Sequence, residues 1–209
     1  MAEITTQQFL EIEEIKQGLV ILRNKSLRGV LMVSSINFTL KSEEEQNAII
    51  HQFQGFLNSL DFSIQLLVQS RRLNMTGYSD KLKELEEKQE SELLRIQTAE
   101  YKKFISDLLA QGTIMTKNFF VVVPFTLIEI PEVGKREREG ISVLTEEQFQ
   151  RAKSQILQRM EFVALGLKRC GLQTAPLNTS ELIELFWGLY HPEEAEAGYY
   201  PEIIPELLI

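Results

Sequence analysis

The sequence predicts an α+β domain: a mixed, largely antiparallel sheet with amphipathic helices packed mainly on one face, one of them long. Three observations carry that expectation. Ser42 and Glu45 stand in the S-x-x-E spacing of a capping box, and the apolar residues that follow first recur at helical steps and then alternate as in a strand. Asn118–Phe125, NFFVVVPF, is a continuous apolar run rich in β-branched and aromatic residues, which suits a strand covered on both faces. Thr145, with Gln148 three residues on, opens a second capped stripe of Phe149, Ala152, Ile156, Met160, Val163 and Leu167.

Taken in order, residues 9–15 alternate as a first strand, and Gly18 precedes a second, Leu19–Leu22. Asn24, Lys25 and Ser26 make a turn into a return strand, Arg28–Ser35, whose apolar side chains fall on both faces. The capped helix from Ser42 buries the stripe Ile49, Ile50, Phe53, Phe56, Leu57, Leu60. After Asp61, Phe62, Ile64, Leu66 and Val68 alternate with polar neighbours and form the expected covered face of the next strand, with Leu67 as its one irregularity. Ser79 caps a further helix. With no proline or glycine up to Gln111, that helix runs about 50 Å if unbroken. Its polar stretch Glu86–Glu92 admits two readings, the solvated middle of a helix lying on the sheet or an arm whose far end docks a partner.

The run Asn118–Phe125 is the expected central strand, with Thr126–Ile130 as its extension past Pro124. Pro131–Gly140, PEVGKREREG, reads as a charged exposed loop. The capped helix from Thr145 ends at Gly171, Leu172–Leu177 forms a brief strand, and Asn178, Thr179 and Glu181 start a last helix to Tyr190. That helix has almost no polar face, so either the domain itself or another chain must cover it. The expected domain spans 1–191, and 192–209 is a tail or the start of a linker, apolar and proline-rich at its end.

Composition narrows the function. With 44% hydrophobic residues in 209, the chain has enough apolar side chains for a core. A net charge of -8 disfavours direct nucleic-acid binding, which draws on clustered Lys and Arg. The longest apolar run is far short of the roughly 20 residues of a membrane span, and a cytoplasmic protein is expected. The single cysteine, Cys170, reads as a packed thiol, and His51 as a structural histidine bordering an apolar face. Neither they nor His191 stand at metal-ligand spacing. Gly134-Lys135 lacks the upstream glycine and following hydroxyl of a phosphate-binding loop, and no nucleophile motif occurs, so neither a catalytic residue nor a cofactor is expected.

The run from Leu27 to Leu73, LRGVLMVSSINFTLKSEEEQNAIIHQFQGFLNSLDFSIQLLVQSRRL, and the later NTSELIELFWGLYHPEE from Asn178 resemble the TraC-like domain. That domain is the N-terminal region of conjugative ATPases in type IV secretion systems, and the resemblance covers most of residues 8–194. It implies an α+β domain that joins the ATPase to inner-membrane secretion components. Such ATPases continue into a nucleotide-binding motor domain, whose motifs do not occur here, so the family's catalytic residues are not carried over. The resemblance therefore implies a noncatalytic assembly domain, either encoded alone or excised from a longer ATPase. Its partners are secretion-system subunits or a motor ATPase, with peripheral placement at the inner face of the cell membrane through them and room for homo-oligomers. Candidate contact residues are Arg71 and Arg72 at the strand end and the aromatic group Trp187, Tyr190, Tyr199 and Tyr200. The polar middle of the long helix is a further candidate surface. The alternative, from a different class, is a small enzyme or ligand-binding domain whose site forms only in the fold.

Overall fold

The computed structural model describes residues 10–72, 76–111, 115–126 and 144–196. The strands are β1 (Ile12–Lys16), β2 (Leu19–Leu22), β3 (Leu27–Val33), β4 (Gln65–Arg72), β5 (Met115–Phe125) and β6 (Thr174–Pro176). The helices are α1 (Glu43–Asn58), α2 (Thr76–Glu87), α3 (Glu92–Gln111), α4 (Glu146–Arg169), α5 (Thr179–Tyr190) and α6 (Pro192–Glu196). Strand order in the sheet is β1-β2-β3-β5-β4, and β6 shares the β2 side of β3 by pairing with its far end. The α+β class and the antiparallel sheet are those the sequence predicts.

Local chemistry explains the hairpins. Lys16 and Leu19 face each other across β1 and β2, so the turn has two central residues, Gln17 at φ +51° and Gly18 at φ +76°. Positive φ at both is the backbone twist that a two-residue hairpin requires. Between β2 and β3, Asn24 Oδ1 accepts from Ser26 N at 3.0 Å and Ser26 Oγ at 2.6 Å, which closes the expected turn. β3 and β5 then pair over seven positions, from Leu27 with Phe125 to Val33 with Phe119. Phe120 and Val121, neighbours pointing to opposite faces, are both buried, so β5 is central and covered on both sides.

The chain divides into two compact units. The first takes in the described residues up to Val68 and those of Asn118–Ile183. Its core gathers Leu27, Leu31, Val123 and Phe125 of the sheet against the α4 stripe, and all six predicted stripe residues are buried. α4 approaches β3 at Gly29, where a Cβ would sit 2.2 Å from Met160 Sδ. α1 leans on α4 at Gly166, where a Cβ would sit 2.2 Å from Phe56 Cδ2. Arg159 Nη1 donates to Pro124 O at 3.0 Å, and its guanidinium lies 4.7 Å from the Phe62 ring and 5.1 Å from the Phe125 ring.

Five expectations need correction. Ser79 lies inside α2, which already begins at Thr76, and so does not cap it. The single long helix is two, α2 and α3, separated at Lys88–Ser91 and packed on each other, because the polar middle has no apolar face to bury and the chain folds back there. Of the α1 stripe only Phe56 is buried, and Ile50 and Leu57 are exposed, since α1 touches α4 along a narrow line. On β4 the covered phase is inverted: Leu67 is half-buried while Leu66 and Val68 are 59% and 56% exposed. Phe62 and Ile64 precede the strand proper and pack on the core, so their phase does not carry into it. His51 is exposed on α1 rather than packed.

The second unit takes in the described residues of Gln69–Lys117 and Glu184–Glu202. α2 and α3 form an antiparallel hairpin tied by Lys102 Nζ to Glu86 Oε2 at 2.7 Å and by the Tyr78 and Tyr101 hydroxyls at 3.2 Å. Leu82 is its buried aliphatic side chain among the described residues. Thr126–Ile130 as a strand extension and the loop Pro131–Gly140 fall outside the described residues, apart from Thr126, which lies just past β5.

Candidate docking surface

Of the six candidate contact residues, four lie in described segments, two on β4 and two on α5. Arg71 is exposed near the end of β4, and Arg72 also belongs to that strand. Trp187 and Tyr190 lie on α5 one turn apart, Trp187 half-buried and Tyr190 58% exposed. The Trp187 ring stacks on His191, with centroids 4.0 Å apart and planes 18° from parallel, so one face of the indole is already occupied. Tyr199 and Tyr200, like Gly134-Lys135, fall outside the described residues.

α5 itself is held from its first turn. Asn178 Oδ1 accepts from Glu181 N at 2.9 Å while Glu181 Oε2 accepts from Asn178 N at 2.8 Å, a reciprocal cap. Thr179 Oγ1 accepts from Gly18 N at 2.9 Å and is buried, as is Leu182. From Leu189 on the helix is exposed, so the sequence expectation of an all-round buried helix holds only for its beginning.

A depression that the sequence reading missed lies beside β4. It holds about 330 Å³ and is lined mainly by carbon, from Val33 and Ile36 after β3, Phe53 of α1, Leu66 and Leu67 of β4 and Phe119 of β5. Of its two serines, Ser34 and Ser35, Ser34 accepts from Gln173 N at 2.8 Å. The inverted phase of β4 is what places Leu66 and Val68 at this rim, and a one-residue shift in strand phase is not legible from alternation alone. A second depression of about 380 Å³ runs between α1 and α4 over Gly55, Phe56, Phe162 and Gly166.

Titratable groups are shifted by local pairing, and two of them, Lys16 and Glu146, line a depression of about 210 Å³ together with Glu13, Glu14 and Lys25. The Ser42 backbone amide, with Lys41 beside it, holds the Glu45 carboxyl below its usual range. Hydrogen bonds from Gln150 and Lys16 lower Glu146, and Glu146 in turn raises Lys16. Burial pushes the Cys170 thiol up, and its Sγ lies 3.6 Å from Gly166 O, the packed thiol that the sequence predicts. Among the described residues, His, Cys, Asp and Glu nowhere gather in a group of three or more that could hold a metal ion, and no helix is long and apolar enough to cross a membrane.

No curated protein matches the chain. The family model of the archaeal TraC-like domain matches residues 13–192, from the first strand to the end of α5, which takes in every strand of the sheet and both capped helices of its core. The chain belongs to the archaeal TraC-like domain family.

Proposed function

We propose that the chain is a noncatalytic docking domain of a conjugation-type, type IV secretion machine that serves DNA transfer, binding secretion subunits or a motor ATPase at the cytoplasmic face of the membrane. The observation that carries this reading is the family match over 13–192. The depression beside β4 supports it by offering exposed Leu66 and Val68 and an apolar floor to a partner's apolar side chains. Arg71 on β4 and Tyr190 on α5, in the second unit, are further polar and aromatic contacts proposed for a partner.

The test mixes the purified chain with candidate secretion subunits and a candidate motor ATPase and measures complex formation. Leu66→Asp combined with Val68→Asp weakens the complex at least about tenfold while circular dichroism stays unchanged. Unaltered binding by that variant removes the β4 surface from the proposal, and nucleotide turnover by the chain alone removes the noncatalytic role.

A second reading, a site for a small apolar ligand, draws on the volume of the same depression, which reaches the lower end of the range for such sites. Thermal stabilisation by a fatty acid or similar apolar compound, abolished by Leu67→Asp, favours it.

A further inference from the structure

We infer that the outer edge of β4 receives residues 203–209 of this chain as one further strand, which covers the depression beside it. β4 ends the strand order β1-β2-β3-β5-β4, so β5 lies on one side of it and no described strand on the other. Its first five residues, QLLVQ, hold neither a charge nor a proline. Such an edge presents a row of N–H and C=O groups for pairing, and sheets ordinarily blunt it with lysine, proline or a covering segment. Leu66 and Val68, 59% and 56% exposed, add an apolar rim on the first unit. Backbone groups to be paired next to exposed aliphatic side chains fit a strand as occupant, since a helix satisfies its own backbone and would leave those of the edge unmet.

The chain's own sequence supplies that strand. Residues 203–209, IIPELLI, are Ile or Leu at five of seven positions, and Pro205 in their midst disfavours a helix. In extended backbone, alternate residues share a face and also share the side to which their N–H and C=O point. The odd positions Ile203, Pro205, Leu207 and Ile209 make one wholly apolar face, and Ile204, Glu206 and Leu208 make the other. Pro201 and Pro205 both fall in the odd set. When that set points its backbone away from β4, each residue facing the ladder, Ile204, Glu206 and Leu208, has an N–H to donate. Both prolines then lie on the outer side, where an edge strand tolerates them and where they stop a further strand from adding. The opposite phase would put Pro205 into the ladder and Glu206 over Leu66 and Val68, so the pattern selects one arrangement. Seven residues extend ~23 Å, enough to follow the uncharged part of β4. About 150 Å³ accommodates one benzene-sized group, so the depression of about 330 Å³ has room for roughly two aliphatic side chains, those of Ile203 and Leu207.

The inference goes beyond the docking reading and does not rest on it, because it concerns what β4 pairs with when no partner is present. Amide exchange of the purified full chain, followed residue by residue by NMR, is expected to show Ile204, Glu206 and Leu208 protected at least about tenfold over Ile203 and Leu207. Ile203→Glu combined with Leu207→Glu removes that protection and quickens exchange along β4 while α4 is unchanged, and Glu206→Gln does neither. Absence of protection across 203–209, or protection of successive amides as in a helix, overturns the inference. So does an alternation that fades on dilution, which assigns the edge to a segment of a second copy. Where a subunit binds through Leu66 and Val68, the double variant binds it severalfold more tightly, because no strand has to leave first. A chain that binds no subunit loses the docking reading, and the exchange pattern still decides the strand.

Discussion

Gly166 sits in the last turn of the 24-residue helix α4, where glycine still costs some stability relative to alanine. The cause is the Phe56 ring, whose Cδ2 would lie 2.2 Å from an added Cβ. Alanine there gains about 1 kcal/mol of helix propensity but must displace an aromatic ring seated against a packed core. Gly166→Ala is therefore expected to destabilise the protein by about 1–3 kcal/mol in urea denaturation. Gly29→Ala meets the thioether of Met160 at the same 2.2 Å, and a methionine can swing aside, so its cost is the smaller of the two. Equal or reversed costs would show that ring rigidity is not what separates the sites. Neither neighbour is visible in sequence, because Phe56 is 110 positions from Gly166 and only the fold brings them together.

Among the elements, α1 and α4 share one device and meet different fates. Each begins with a reciprocal capping box, Ser42 with Glu45 and Thr145 with Gln148, as their spacing predicts. The glutamate makes the first box sensitive to pH, and the glutamine leaves the second indifferent. Because Glu45 titrates below its usual value of 4.5 when folded, its contribution is present above that value and is lost as pH falls through the lowered one. Hydrogen exchange at the first-turn amides of α1 is thus expected to quicken on acidification, and to do so less in Glu45→Gln, after correction for the intrinsic rate. Equal quickening in the two proteins would refute that assignment. The break between α2 and α3 is the opposite case: Glu86–Glu92 holds no glycine or proline, and a turn there follows from the absence of anything apolar to pack.

For the whole molecule, apolar burial is uneven. The principal cluster draws on β2, β3, β5, α1 and α4, all in the first unit, whereas Leu82 is the buried aliphatic residue described in the α2–α3 hairpin. Local stability follows buried contact, so amides of α2 and α3 are expected to exchange at least about tenfold faster than those of β3, β5 and α4. Uniform protection across the chain would contradict that.

Sequence by itself determined the α+β class, both capping boxes, the complete α4 stripe and β5 as a strand buried on both faces. Each follows from periodicity or from a hydrogen bond between near neighbours, which a local stretch encodes. Tertiary structure alone decided the phase of β4, the fold-back of α2 on α3, the exposure of His51 and the outward-facing stripe of α3. An apolar face specifies only that something must cover it, and what covers it depends on side chains far away in the chain.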